Sequence, residues 1–148
     1  MPYQDRTYHG VQTYELSRIE AEMPATGPTE RESVTVLYEL FPTNGDGGGF
    51  GWGYNGGGTS RAASAILADA LDLGDQDAAG ISLSAYPEDR VLVDLREDFC
   101  DDVLSQFCDE WRLRRGVVLR WARAWYLQRG IDEIPPALQY LPPLFSLD

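Results

Sequence analysis

Lysine is absent from this chain of 148 residues: all 12 basic residues are arginine. A P-loop, which needs a lysine against the phosphates, is thereby excluded. There is one histidine, so no HxxxH pair exists, and the two cysteines, Cys100 and Cys108, form no CxxC. Zinc chemistry lacks its usual ligands, "NGDGGG" around Asp46 lacks the remaining ligands of a cation loop, and the sequence assigns no metal and no cofactor. Neither cysteine has a histidine nearby, which leaves carboxylates, tyrosine and serine as acids, bases or nucleophiles. His9, beside Gly10, reads as a strand-end side chain, and no catalytic residue is assigned. Cys100 and Cys108 lie about 80° apart around a helix axis, too far along it to bridge, and read as buried thiols. Long apolar runs are also missing. No stretch approaches the roughly 20 residues of a membrane span, and "MPYQDRTYHG" has no basic segment followed by an apolar one. The expectation is a cytoplasmic protein without a membrane partner.

Positive charge is scarce and confined. Against 24 acidic residues the net charge is −12. Residues 1–110 hold 21 acids and 6 arginines, whereas residues 111–131 hold 6 arginines and no acid. Such a field repels nucleic acid over most of the surface, which argues against general phosphate-backbone binding. The basic stretch, Arg112 to Arg129 with Trp111, Trp121 and Trp125, admits two readings: a surface for RNA or an acidic partner, or internal pairing with the acids of residues 97–110. The second is preferred, because Trp121 and Trp125 have the spacing of core residues.

One domain is expected for residues 1–148. "RTYHGVQTYEL" suits a first strand, and residues 18–32, with Pro24, Gly27 and Pro28, read as a mobile loop or insertion. "SVTVLYELF" is a second strand; "PTNGDGGG" reverses the chain, and "FGWGY" returns as a third. From Thr59, the spacing of Ala62, Ala63, Ile66, Leu67, Ala70 and Leu71 predicts a helix, capped by Thr59 or Ser60 and stopped by Gly74. Leu92, Leu95, Phe99, Val103 and Phe107 predict another over 88–110, and Val118, Trp121, Ala122 and Trp125 a third between Gly116 and Gly130. The Pro-rich tail, 131–148, is expected to pack on the surface. The fold class is α+β: a short antiparallel sheet from the N-terminal half, packed against about three helices.

The densest signal is "GFGWGYNGGGTSRAASAIL", residues 49–67. A bare backbone ahead of a helix exposes N–H groups where the helix dipole favours negative charge. The candidate anion site is Trp52, Gly53, Tyr54, Asn55, Gly56, Gly57, Gly58, Thr59, Ser60 and Arg61. Arg61 would grip the anion, and Trp52 and Tyr54 would stack on a planar group. Gly51, Gly53 and Gly56 match G-x-G-x-x-G only weakly, since Trp52 stands beside the close-approach glycine and no long buried strand precedes the motif. The same glycines equally suit tight turns and close helix–sheet packing.

"YHG", "GFGWGYNGGG" before "ASAIL", "FCDDVL" and "DEWRL" together resemble a family of small proteins of bacteria, archaea and their viruses. It is a domain of unknown function whose motif reads approximately G-F-x-W-G-Y-x-G-S-G-P, followed by an Ala/Leu-rich helix. The matching positions are Gly49, Phe50, Trp52, Gly53, Tyr54, Gly56 and Gly58. Gly57 stands where the motif has Ser and Thr59 where it has Pro, so a hydroxyl and a rigid first helical position are missing. The resemblance spans most of residues 7–125, with extra residues at 18–32 and 75–90, and implies an α+β organisation but no activity.

Two functions follow as expectations. The first is a non-catalytic binder of a small anionic ligand, a nucleotide or nucleotide-derived signal, at the glycine loop. The alternative is an acidic module that binds or inhibits a host protein, its surface imitating nucleic acid, with the loop purely structural. A homodimer is a further expected partner state, since hairpin edges and Trp-rich helices offer surfaces.

Overall fold

Alternation along residues 7–12 decides which side of the sheet faces the core. The computed structural model describes residues 4–13, 17–24, 34–39, 49–83 and 88–141. Strand β1 (Thr7–Gln12) buries Tyr8 and Gly10 and leaves Thr7, His9 and Val11 half-buried. Its neighbours are β2 (Ser17–Pro24) and β4 (Glu110–Arg114), and β3 (Val34–Glu39) pairs with β2, giving an antiparallel sheet of order β3-β2-β1-β4. Tyr8 stands opposite Ala21 and Leu113, and Gly10 opposite Ile19 and Trp111. These positions share the core face, while the row of Glu20, His9 and Arg112 takes the other.

Helix α1 (Gly57–Ala70) is buried without a break from Ala62 to Ala68. A helix enclosed on every side must be apolar all round, and alanine gives both high helix propensity and close approach of the neighbours. It packs against α2 (Gln76–Ala79), α3 (Arg90–Asp102), a 3₁₀ turn (Leu104–Gln106) and α4 (Arg115–Gln128). Leu95, Phe99, Leu104 and Leu119 are fully buried around it, each contributing roughly 1.5–3 kcal/mol of transfer free energy. A last short helix, α5 (Pro136–Gln139), lays Leu138 against the same core. The fold is thus α+β, with three long helices on one core. Among the described residues no helix is long and apolar enough to cross a membrane.

The chain departs from its sequence pattern in four places. Residues 17–24 form β2 where a loop was expected, because Ile19 and Ala21 alternate with Arg18, Glu20 and Glu22 and supply a buried face despite the polar composition. Residues 25–32 of that expected loop lie outside the described set. "FGWGY" is not a strand: Gly51 N donates to Gly58 O at 2.9 Å and Gly53 N to Leu104 O at 2.9 Å, so its backbone bonds go to α1 and the 3₁₀ turn. The expected reversal at 42–48 also lies outside the described set. Helix α1 starts at Gly57 with Gly56 as N-cap, not at a Thr59 or Ser60 cap, and ends at Ala70, ahead of Gly74. The helix expected over 88–110 stops at Asp102, and residues 110–114 become β4, with Trp111 and Leu113 inward and Arg112 and Arg114 outward. Cys100 is buried as expected, but Cys108, past the helix end, is exposed.

Candidate functional site

The loop ahead of α1 is pinned from below by its aromatic residues. Phe50 and Trp52 are buried, and Trp52 meets Trp111 edge to face, with ring centroids 5.3 Å apart. Phe107 covers Trp111 from another side at 4.7 Å. Trp52 is therefore a core anchor and has no face left for a ligand, which corrects its expected stacking role. Several glycines are explained by this packing. A side chain at Gly58 would press on the backbone of Gly51, one at Gly56 on the Tyr54 ring, and Gly53 has a φ of +82°.

Thr59 and Ser60 are turned inward. Thr59 Oγ1 donates to Tyr54 O at 2.7 Å, and Ser60 Oγ to Glu97 Oε1 at 3.5 Å, while the Cys100 thiol approaches Ser60. Both residues are buried, so their hydroxyls do not reach a ligand. Asn55 Nδ2 donates to Asp101 Oδ1, which places a carboxylate on one flank of the loop. Gly58 is buried as well. What stays open is Gly53, Tyr54, which is 55% exposed, Asn55 and Gly57, with Gly56 and Arg61 half-buried beside them.

Arg61 folds back over the start of its own helix. Its Nε donates to Gly49 O at 3.1 Å, and its two terminal nitrogens lie 3.6 and 3.7 Å from where a Gly57 side chain would begin. The first N–H groups of any helix lack intrahelical partners. In α2 and α3 they are met by Asp75, bonded to Asp77 N at 2.8 Å, and by Asp89, bonded to Leu92 N at 3.0 Å. In α1 the N-cap is Gly56, no side chain among the described residues caps it, and the first turn carries no acid. The structure thus brings Tyr54, Gly56, Gly57 and Arg61 together at one exposed corner, and takes Trp52, Thr59 and Ser60 away from it.

Three other constellations were less legible. At the far end of α1, Tyr8 Oη donates to Asp69 Oδ2 at 2.7 Å, beside Arg6 NH1 at 2.8 Å. Burial, with the Asp69 charge, holds the Tyr8 phenol well above its usual range, and burial raises Asp69 too. An open groove of about 590 Å³ lies near that end, lined by Leu73, Val91, Leu92, Tyr126, Ile134 and Pro135 among others. By helix rise it is about 20 Å from the glycine loop. The third lies on the outer sheet face, where His9 sits mid-strand, not at a strand end, between Glu22 and Glu110. Only the long-range strand pairing assembles this group, so no local motif could announce it.

Four of the six arginines of residues 111–131 form ion pairs within the molecule, but mostly not with the acids of residues 97–110 that the sequence offered. Arg112 pairs with Glu22, Arg114 with Asp5, Arg115 with Asp72 and Arg129 with Asp98. Of these acids only Asp98 belongs to the expected acidic helix, where it also accepts from Trp125 Nε1 at 2.7 Å.

The profile of a family of unknown function, DUF6166, matches residues 8–124. The chain belongs to that family. The DUF6166 match runs from the second residue of β1 to Ala124 within α4, and so takes in nearly all of the sheet, the glycine loop, α1 and α3, and most of α4. No curated protein and no solved structure matches the chain.

Proposed function

We propose that this protein is a non-catalytic binder of a small anionic ligand, a nucleotide or nucleotide-derived signal, held at the N-terminus of α1. The observation that carries the reading is the pairing of an uncapped, acid-free first turn with the Arg61 guanidinium folded over Gly57. Dipole, free N–H groups and guanidinium all favour a phosphate there. Tyr54, exposed and adjacent, takes the stacking role that Trp52 cannot. Asp101, on the Asn55 flank, would repel a second phosphate but accept from a ligand's hydroxyl or amino group, which suits a molecule with an anionic end and a donor-bearing end. In a virus or mobile element, such a binder would act by sequestering a host signal.

A second reading is favoured by the surface around the 3₁₀ turn, where Asp101, Asp102, Asp109 and Glu110 are all exposed. That patch would suit a basic partner protein, with the loop serving only as architecture.

Thermal unfolding against phosphate, mononucleotides, dinucleotides and cyclic nucleotides, for wild type and Arg61→Ala, tests the first reading. A ligand at 100 times its Kd adds about 2.7 kcal/mol, on the order of 8 °C for a domain near this size. The expected result is a shift in wild type that disappears in the folded variant. No shift with any of these compounds overturns the reading and favours a partner protein, whose binding would weaken steeply with salt.

A further inference from the structure

On the outer sheet face, His9, Glu20 and Glu22 each offer one ligand atom, and these atoms all lie within 4.8 Å of one another. The arrangement follows from the register. Glu20 and Glu22 are two apart on β2 and project to the same face, and His9 is the direct cross-strand neighbour of Glu20. Glu22 is only 5% exposed, so its charge is held against a desolvation cost that calls for a cation.

The surroundings of the imidazole also point to a cation. His9 Nε2 lies 2.7 Å from Glu110 Oε2, a carboxylate that leaves Nδ1 as the ring nitrogen turned toward Glu22. His9 Nδ1 faces Glu22 Oε2 at 3.2 Å, so a positive group placed there meets a ring nitrogen and a carboxylate oxygen together. The Arg112 guanidinium supplies one: its Nε is 3.2 Å from Glu22 Oε1 and its NH2 3.4 Å from His9 Nδ1. Arg112 is 55% exposed, however, and can swing into solvent without leaving a cavity. Glu20 has a second cation at its edge, Arg18, 3.1 Å away and itself half exposed.

We propose that His9 Nδ1, Glu20 and Glu22 form a binding site for a divalent transition-metal ion, which displaces Arg112. One imidazole and two carboxylates suit Zn²⁺ in a tetrahedral site with one position left to water. Glu110 orients the imidazole from behind, as carboxylates do for metal-bound histidines. The nitrogen ligand disfavours Mg²⁺ and Ca²⁺, which prefer oxygen alone.

The single histidine makes the test direct. Tag-free protein, stripped with chelator, is titrated with Zn²⁺ while the imidazole ¹⁵N resonances are followed, with Mg²⁺ as control. Saturable movement of the Nδ1 resonance at one Zn²⁺ per chain is expected, with at least a tenfold loss of Zn²⁺ affinity in the isosteric Glu22→Gln and Glu20→Gln variants and a gain in Arg112→Gln. Co²⁺ spectra should show no thiolate charge transfer, since the exposed Cys108 is not a ligand. An unmoved imidazole, or Zn²⁺ binding that survives both glutamine variants or vanishes in Cys108→Ser, overturns the proposal and leaves the cluster as a charge network.

Discussion

The indole of Trp111 occupies the space that a side chain at Gly10 would need. The two residues are cross-strand partners on β4 and β1, and a Cβ at position 10 would come within 3.0 Å of the ring. The ring cannot retreat, because Trp52 and Phe107 hold its other sides. Gly10→Ala should therefore destabilise the fold by about 2–3 kcal/mol, the cost of overpacking a rigid core. Gly49→Ala, where nothing lies within 4 Å, should change stability little. Denaturant unfolding of both variants checks the contrast.

Arg115, together with Arg6 and Tyr8, ties the end of α1 to the residues at and just before β1. It is 4% exposed and donates to Ala70 O at 3.0 Å, Gln4 O at 2.7 Å and Asp72 Oδ2 at 2.9 Å. Arg115→Ala should cost about 3 kcal/mol, since it strands buried acceptors. Arg115→Lys should recover only part of that loss, because an ammonium cannot reproduce the planar fork. Equilibrium unfolding of the two variants decides between a fork and a simple charge.

Much of this was legible before the structure, and the rest was hidden for definable reasons. Helices α1 and α4 were evident because Ala62, Ala63, Ile66 and Leu67, or Val118, Ala122 and Trp125, repeat with helical period over 14 residues each. Strands β2 and β4 were obscured because their outward positions carry Arg18, Glu20, Glu22, Arg112 and Arg114, and a sheet face built of ion pairs reads locally as a polar loop or a charged helix. The glycine loop was recognisable as special, but the roles of its residues depend on packing partners far away in sequence. Trp111 claims Trp52, and Glu97 claims Ser60.

Alkaline stability should carry the signature of Cys100. Burial pushes this thiol up from the ordinary 9.0 to about 11. The folded chain then keeps a proton that the unfolded chain has released, so stability is intact below pH 9.0 and falls as pH rises toward about 11. Cys100→Ala should flatten that part of the profile, by on the order of 2 kcal/mol. Tyr126, raised to about 12 mainly by burial, acts at higher pH in both proteins, and the difference between the two curves isolates the thiol. Urea midpoints from pH 8 to 11 supply the test.

The two loop aromatics should separate stability from binding. Tyr54→Ala, at a site 55% exposed, should leave the melting temperature nearly unchanged and weaken a nucleotide by about tenfold, the lower range of base–aromatic stacking. Trp52→Phe should do the opposite, loosening the core around Trp111 while keeping whatever affinity the folded fraction has. Calorimetric titration and thermal unfolding of both variants measure the two effects separately.

The central claim is that the first turn of α1 receives an anion. It is tested most directly by titrating ¹⁵N-labelled protein with the nucleotide that gives the greatest thermal shift, or with inorganic phosphate if none does, while the backbone amides and the arginine Nε–H groups are followed. The account predicts saturable shifts centred on Gly57, Gly58, Thr59 and the Arg61 Nε–H. Shifts centred elsewhere, or none that saturate, would contradict it and leave the glycine loop as the scaffold that seats Trp52 beside Trp111.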